Sequence, residues 1–193
     1  YWVPAGLSSQ IPKPDGPPVR VTLLHEKLVM FRDSGGRAVL MSERCPHRGA
    51  SMFFGRNEEE GLRCVYHGWK FDHAGRCVDM PSEPPDSNFR HKVTIAAYPC
   101  QEHGGIIWAY LGPREHQPAF PALEWAHLPE GQVYVTRHIQ ECNWFQGFEG
   151  GFDASHLTFL HSGDTWDGDR PLSVKYEPLS APCGMLRSEE PHV

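Results

Sequence analysis

The sequence predicts an all-β domain followed by a second segment that combines a strand with a helix. Three observations predict this. Short runs rich in Val, Leu, Phe and Trp recur at 19–24, 27–32, 37–41, 62–65, 68–72, 93–98 and 106–111, separated by Gly-containing turns. The stretch 112–131 carries Pro113, Pro118, Pro121 and Pro129, which reads as a connection because proline fixes φ and removes a donor. Beyond it, 132–140 alternates like a strand, and 143–160 reads as a helix weakened by Gly147, Gly150 and Gly151. The expected division is therefore 1–115 and 116–193.

Taken in order, the elements start late. Pro4, Pro12, Pro14, Pro17 and Pro18 make the first twenty residues an irregular lead-in, with regular structure beginning near Val19. Asp33-Ser34-Gly35-Gly36 and Asp72-His73-Ala74-Gly75 look like hairpin turns, where Gly supplies the positive φ that tight turns need. Glu58-Glu59-Glu60 reads as a solvated loop between strands that could also meet a reductase by charge complementarity. Trp108 and Tyr110 alternate with Ile107 and Ala109, a core-packing pattern. No internal repeat stands out.

Composition narrows the function classes. The 193 residues are 39% hydrophobic and 22% charged, within the globular range. A net charge of -6 without a Lys/Arg-rich run argues against nucleic acid, whose binding begins with phosphate neutralisation. No apolar stretch reaches the roughly 20 residues a membrane span needs. Tyr1-Trp2-Val3-Pro4 does not read as a signal peptide. Six cysteines are too sparse for a disulfide scaffold, which suits a reducing, cytoplasmic setting. Tyr1 at the start and Pro191-His192-Val193 at the end, with no closing element, read as a fragment.

Two constellations carry chemistry. Cys45-Pro46-His47 and Cys64-Val65-Tyr66-His67 each offer one thiolate and one imidazole, with sixteen residues between His47 and Cys64. In a Rieske [2Fe–2S] centre two Cys hold one iron and two His the other, and neutral imidazole raises the reduction potential. Gly49 and Gly68 allow close backbone approach, and Trp69 and Tyr66 can shield the centre. A structural zinc ion also takes Cys₂His₂ ligands. Zinc fingers, however, usually pair the cysteines in one loop and the histidines in the other, whereas here each loop supplies one of each.

The second constellation is Asp153-Ala154-Ser155-His156 with His161. A non-haem Fe(II) site needs two His and one carboxylate on one face, with open positions opposite. Asp153 and His156 are three apart and share a helical face, whereas His156 and His161 are five apart, so the helix must end or bulge between them. Outside both sites, Cys77, Cys100, Cys142 and Cys183 read as small apolar residues.

Cys45-Pro46-His47-Arg48-Gly49-Ala50 and Cys64-Val65-Tyr66-His67-Gly68-Trp69 resemble the Rieske motifs of ring-hydroxylating oxygenase α subunits. Gly61-Leu62-Arg63-Cys64, Lys70-Phe71-Asp72, Asp79-Met80-Pro81-Ser82-Glu83-Pro84 and Trp108-Ala109-Tyr110-Leu111-Gly112-Pro113 are similar to the phthalate dioxygenase-like branch. The likeness runs from residue 1 to about 162.

The resemblance implies an all-β Rieske domain and the start of an α+β catalytic domain. It assigns the [2Fe–2S] cluster to Cys45, His47, Cys64 and His67, and a mononuclear Fe(II) to His156 and His161. Asp153 would connect His67 of another subunit to His156 and so bridge electron transfer, which requires an oligomer, usually a homotrimer. The third iron ligand in the family is a far-downstream carboxylate. Asp164, Asp167 and Asp169 are too close in sequence to match it. The implied partners are a flavin/iron–sulfur reductase, O₂ and an aromatic substrate, for hydroxylation or O-demethylation. A Rieske-type electron-transfer protein without its own active site is the alternative that the cluster motif alone permits. His156 and His161 are what such a carrier does not need.

Overall fold

The computed structural model describes residues 1–84, 86–129, 131–153, 156 and 160, with the backbone of 172–178 and 185–191. It divides into two compact units, 1–137 and 138–193.

The first unit is built from eleven strands: β1 (Trp2–Leu7), β2 (Val19–Leu23), β3 (Glu26–Arg32), β4 (Ala38–Ser42), β5 (Arg56–Glu58), β6 (Gly61–Arg63), β7 (Lys70–Asp72), β8 (Cys77–Asp79), β9 (Ala97–Tyr98), β10 (Cys100–His103) and β11 (Ile106–Tyr110). They form three antiparallel sheets, ordered β1-β11-β10, β2-β3-β4-β9 and β5-β6-β7-β8.

The second sheet lies between two cores because successive side chains of a strand point to opposite faces. Val29 and Phe31 of β3 and Val39 and Met41 of β4 pack with Leu62, Trp69 and Phe71. Leu28, Met30 and Leu40, one residue out of step, pack instead with Ala5, Val21, Ile107 and Ala109. Burial on both faces explains the unbroken apolar run Leu28-Val29-Met30-Phe31.

Both expected hairpin turns form. Gly36 and Gly75 adopt φ of +82° and +81°. In each, the Gly amide donates to the Asp carbonyl at 2.9 Å, and the Asp carboxylate accepts from the amide and Nε of the following Arg37 or Arg76.

Several expectations are corrected. The lead-in contains β1, a strand despite Pro4. It is an edge strand paired only with β11, where a missing N–H is tolerated, and its register shifts between Pro4 and Gly6. The run 93–98 shrinks to β9, because its earlier amides serve the β7–β8 turn: Ile95 donates to the Gly75 carbonyl at 2.8 Å, and Thr94 bridges Arg76. The alternating stretch 132–140 pairs with no described strand, and alternation without a ladder partner does not make one. The run 58–60 is ion-paired as well as solvated, Glu58 to Arg63, Glu59 to Lys70 and Glu60 to Arg37. Cys77 is buried as an apolar residue would be, but Cys142 is exposed; Cys183 lies outside the described residues.

The second unit contains α1 (Trp144–Phe152) and a hairpin of β12 (Leu172–Pro178) with β13 (Met185–Pro191). The Asn143 side chain caps α1 by accepting from the Phe145 amide at 2.9 Å. Among the described residues no helix is long and apolar enough to cross a membrane.

Candidate metal centre

The four ligand candidates sit on two loops with the same internal wiring. The first follows β4, and the second joins β6 to β7. In the first, the Cys45 amide donates to the Ala50 carbonyl at 2.9 Å and the Gly49 amide to the Cys45 carbonyl at 2.8 Å. In the second, the Cys64 amide donates to the Trp69 carbonyl at 2.9 Å and the Gly68 amide to the Cys64 carbonyl at 3.1 Å. Gly49 and Gly68, each four residues after its cysteine, adopt φ of +71° and +76°, the left-handed region that glycine enters without penalty.

An arginine precedes each cysteine and reaches the carbonyl of its glycine. Arg63 Nη1 donates to Gly68 at 2.7 Å, Arg44 Nη1 to Gly49 at 3.5 Å. The loops differ in where the imidazole stands, two residues after Cys45 but three after Cys64.

The loops bury the thiols and leave the imidazoles nearer the surface. Cys45 and Cys64 are each 3% exposed and belong to the core beneath the β5-β6-β7-β8 sheet, here termed the cluster sheet, whereas His47 and His67 are half-buried. Tyr66 and Val65 beside them are 62% and 57% exposed. The His47 and His67 rings lie 4.4 Å apart, centre to centre. Trp69, buried, stacks on His47 at 4.3 Å and 10°, and Tyr66 covers His67 at 3.9 Å. Both aromatics thus lie against the imidazoles, Trp69 buried and Tyr66 exposed.

Electrostatics suit a soft metal centre. Burial pushes the Cys45 thiol up to about 11, against a backbone hydrogen bond at His47 and with adjacent Cys64 adding to the rise. Such a thiol gives up its proton to a metal rather than to water. Burial also lowers the His47 imidazole, as do neighbouring His67 and Arg48, which favours the neutral ligating form. His47 Nδ1 is buried with no hydrogen-bond partner. An orphaned ring nitrogen beside a second imidazole, behind a buried thiol pair, fits a binuclear iron–sulfur group.

In the second constellation, α1 ends at Phe152, so Asp153 and His156 do not share a helical face. Asp153 is the C-cap, with extended backbone at φ -68° and ψ 118°, while its amide still donates to the Glu149 carbonyl at 2.9 Å. The pair meets nonetheless: His156 Nδ1 lies 2.9 Å from Asp153 Oδ2. His161, Asp164, Asp167 and Asp169 lie outside the described residues.

The chain belongs to the Rieske [2Fe–2S] domain family, whose model matches residues 1–99. A second model, LigXa C-terminal domain like, matches residues 109–170. The 3-chlorobenzoate-3,4-dioxygenase oxygenase subunit of Comamonas testosteroni is 48% identical over 97% of this chain and 44% of its own length. The phthalate 4,5-dioxygenase oxygenase subunit of Pseudomonas putida is 47% identical over 85% of this chain and 37% of its own. This chain thus spans less than half the length of either relative. Among solved structures, the QL mutant of NdmA from Pseudomonas putida CBB5 with theobromine superposes with a TM-score of 0.73 at 28% identity, over 91% of this chain and 54% of that one. The resemblance to Rieske oxygenase α subunits therefore stands, as does the antiparallel β fold class.

Proposed function

We propose that this chain is the cluster-bearing part of the oxygenase component of a Rieske non-haem iron oxygenase, with residues 1–115 as the Rieske domain and 116–193 as the start of the catalytic domain. The observation that carries it is the pair of like-wired loops with buried thiols, half-buried imidazoles and the orphaned His47 Nδ1. Cys45 and Cys64 would hold one iron, His47 and His67 the other. His156 and His161 would be the imidazole ligands of the mononuclear iron.

When bound, the cluster supplies one-electron transfer from a flavin/iron–sulfur reductase, and the mononuclear Fe(II) supplies O₂ activation toward an aromatic substrate, by hydroxylation or O-demethylation. The chain's own residues orient and shield. Asp153 accepts from His156 Nδ1, which fixes the tautomer and leaves Nε2 to face a metal. In a homotrimer the other oxygen of Asp153 would accept from His67 of a neighbouring copy, coupling the two imidazole pairs. Trp69, stacked on His47, would shield one face of that imidazole. The free buried cysteines and the oxidisable cluster loops suit a reducing, cytoplasmic setting.

Low-temperature EPR of the dithionite-reduced protein tests the reading. A rhombic Rieske signal that His67→Cys alters and His156→Ala leaves unchanged is the expected outcome, with His156→Ala lowering mononuclear iron content. No such signal from iron-replete protein returns the site to zinc.

A further inference from the structure

We propose that Arg63 is a positioning residue for the cluster: it holds the second ligand loop by the Gly68 carbonyl and thereby sets the attitude of His67, a task Arg44 does not perform in the first loop. The inference rests on the assignment of Cys45, His47, Cys64 and His67 as ligands.

The two arginines occupy matching places in like-wired loops, yet their surroundings differ. The Arg63 side chain is 12% exposed. Its Nη1 donates to the Gly68 carbonyl at 2.7 Å and to Asp79 Oδ2 at 2.6 Å, and its Nε donates to Glu58 Oε1 at 2.5 Å. Glu58 lies on β5 and Asp79 on β8, the two outer strands of the cluster sheet. One guanidinium therefore ties both edges of that sheet to the carbonyl of Gly68, the residue that follows His67. Its hydrogen bonds hold both carboxyls below their ordinary range, so the triad stays charged at neutral pH.

Gly68 is confined from a second direction as well, since a Cβ there would lie 3.1 Å from Pro81 Cγ. A peptide fixed on one side by a charged hydrogen bond and packed against a proline ring leaves the preceding imidazole little freedom. Arg44 is exposed, its bond to the Gly49 carbonyl is 3.5 Å long, and no described carboxylate forms an ion pair with it. The first loop draws its order elsewhere: Glu43 accepts from Ser51 Oγ and from Arg20 Nε, while Arg20 lies over the Phe53 ring at 3.9 Å. The arginines thus share a place in sequence but not a function.

The test compares the full chain, loaded with iron and sulfide, with Arg63→Lys, Arg63→Gln, Arg44→Gln and Arg63→Gln/Asp79→Asn, reading EPR g-values and the cluster midpoint potential. Both Arg63 variants are expected to shift the g-values and the potential, and Arg44→Gln to leave both unchanged. The double variant removes one charge of each sign, and a positioning role predicts that the shift persists in it. Unmoved spectra in both Arg63 variants, or a shift that vanishes in the double variant, overturn the inference while the cluster assignment stands. If Arg63→Gln holds no cluster, Asp79→Asn keeps the guanidinium but releases one anchor. It is expected to broaden the signal, and an unchanged signal there overturns the inference. Failure of the unaltered chain to take up a cluster overturns the assignment and this inference together.

Discussion

Gly36 and Gly75 offer a matched pair of perturbations, because they occupy the same position in two turns of the same sequence pattern, Asp-x-x-Gly-Arg, at φ of +82° and +81°. Alanine at either position pays the same backbone penalty, about 1–2 kcal/mol for the left-handed region. The surroundings then separate them. A Cβ at Gly36 meets nothing within 4 Å, whereas at Gly75 it would lie 2.1 Å from the Ile95 carbonyl oxygen and 3.1 Å from Ala97 Cβ. Relief at Gly75 requires the 95–97 backbone to retreat, which strains the bond from the Ile95 amide to the Gly75 carbonyl. Overpacking of about 1–3 kcal/mol and a weakened hydrogen bond of about 1 kcal/mol follow. Gly36→Ala is therefore expected to cost about 1–2 kcal/mol and Gly75→Ala about 3–6 kcal/mol. Guanidinium chloride unfolding, followed by circular dichroism and tryptophan fluorescence at equal metal loading, measures both. Equal losses, or a larger loss for Gly36→Ala, would refute the reasoning. Ile95 packs in the same core as Cys45 and Cys64, so Gly75→Ala should also reduce cluster retention.

Acid should destabilise the fold through carboxylates held below their ordinary range: Glu43 by the Ser51 hydroxyl, Glu58 and Asp79 by Arg63, and Glu102 by Arg32. Because the folded values are lowered, this stability is present above the unfolded values of 4.5 for Glu and 3.8 for Asp and is lost as pH falls through the folded ones. Unfolding midpoints should be flat between about pH 7 and 5 and fall below about pH 4, with a shallower fall in Glu102→Gln. Asp153→Asn should lower mononuclear iron retention about 10–100-fold in dialysis against chelator while the protein keeps its full [2Fe–2S] content. Loss of the cluster itself in that variant would count against separate sites.

The ligand loops were legible in the sequence because Cys, His and Gly at short spacings leave few other readings. Most central strands were legible too, since β3 and β4 each present a four-residue apolar run. The edges were not. Pro4 masked β1, and three-residue strands such as β5 and β8 are too short to show alternation. The paired wiring of the loops was present in the letters, as Arg-Cys-x-x-x-Gly at Arg44 to Gly49 and again at Arg63 to Gly68. The one-position offset between His47 and His67 hides that likeness in the sequence. Apolar spacing suggests one helix over 143–160, but α1 stops at Phe152 because Asp153 takes extended backbone.

The offset between odd and even positions along β3 and β4 gives the cluster layer its independence from the rest of the fold. Val29, Phe31, Val39 and Met41 support the core that contains both thiols, while Leu28, Met30 and Leu40 support the core against β1 and β11. Two cores that share strands but not side chains divide the tasks of the domain. The cluster face must keep shape to within a ligand bond length, since its cysteines are part of the packing. The opposite face need only bury area, and it carries the register shift and the edge proline of β1. The cluster face carries one irregularity as well, since β7, directly after the second ligand loop, shifts register against β8 between Lys70 and Phe71. The Arg63 triad and the two Asp-x-x-Gly-Arg turns add charged and backbone restraint to the hydrophobic restraint already acting on the ligand loops.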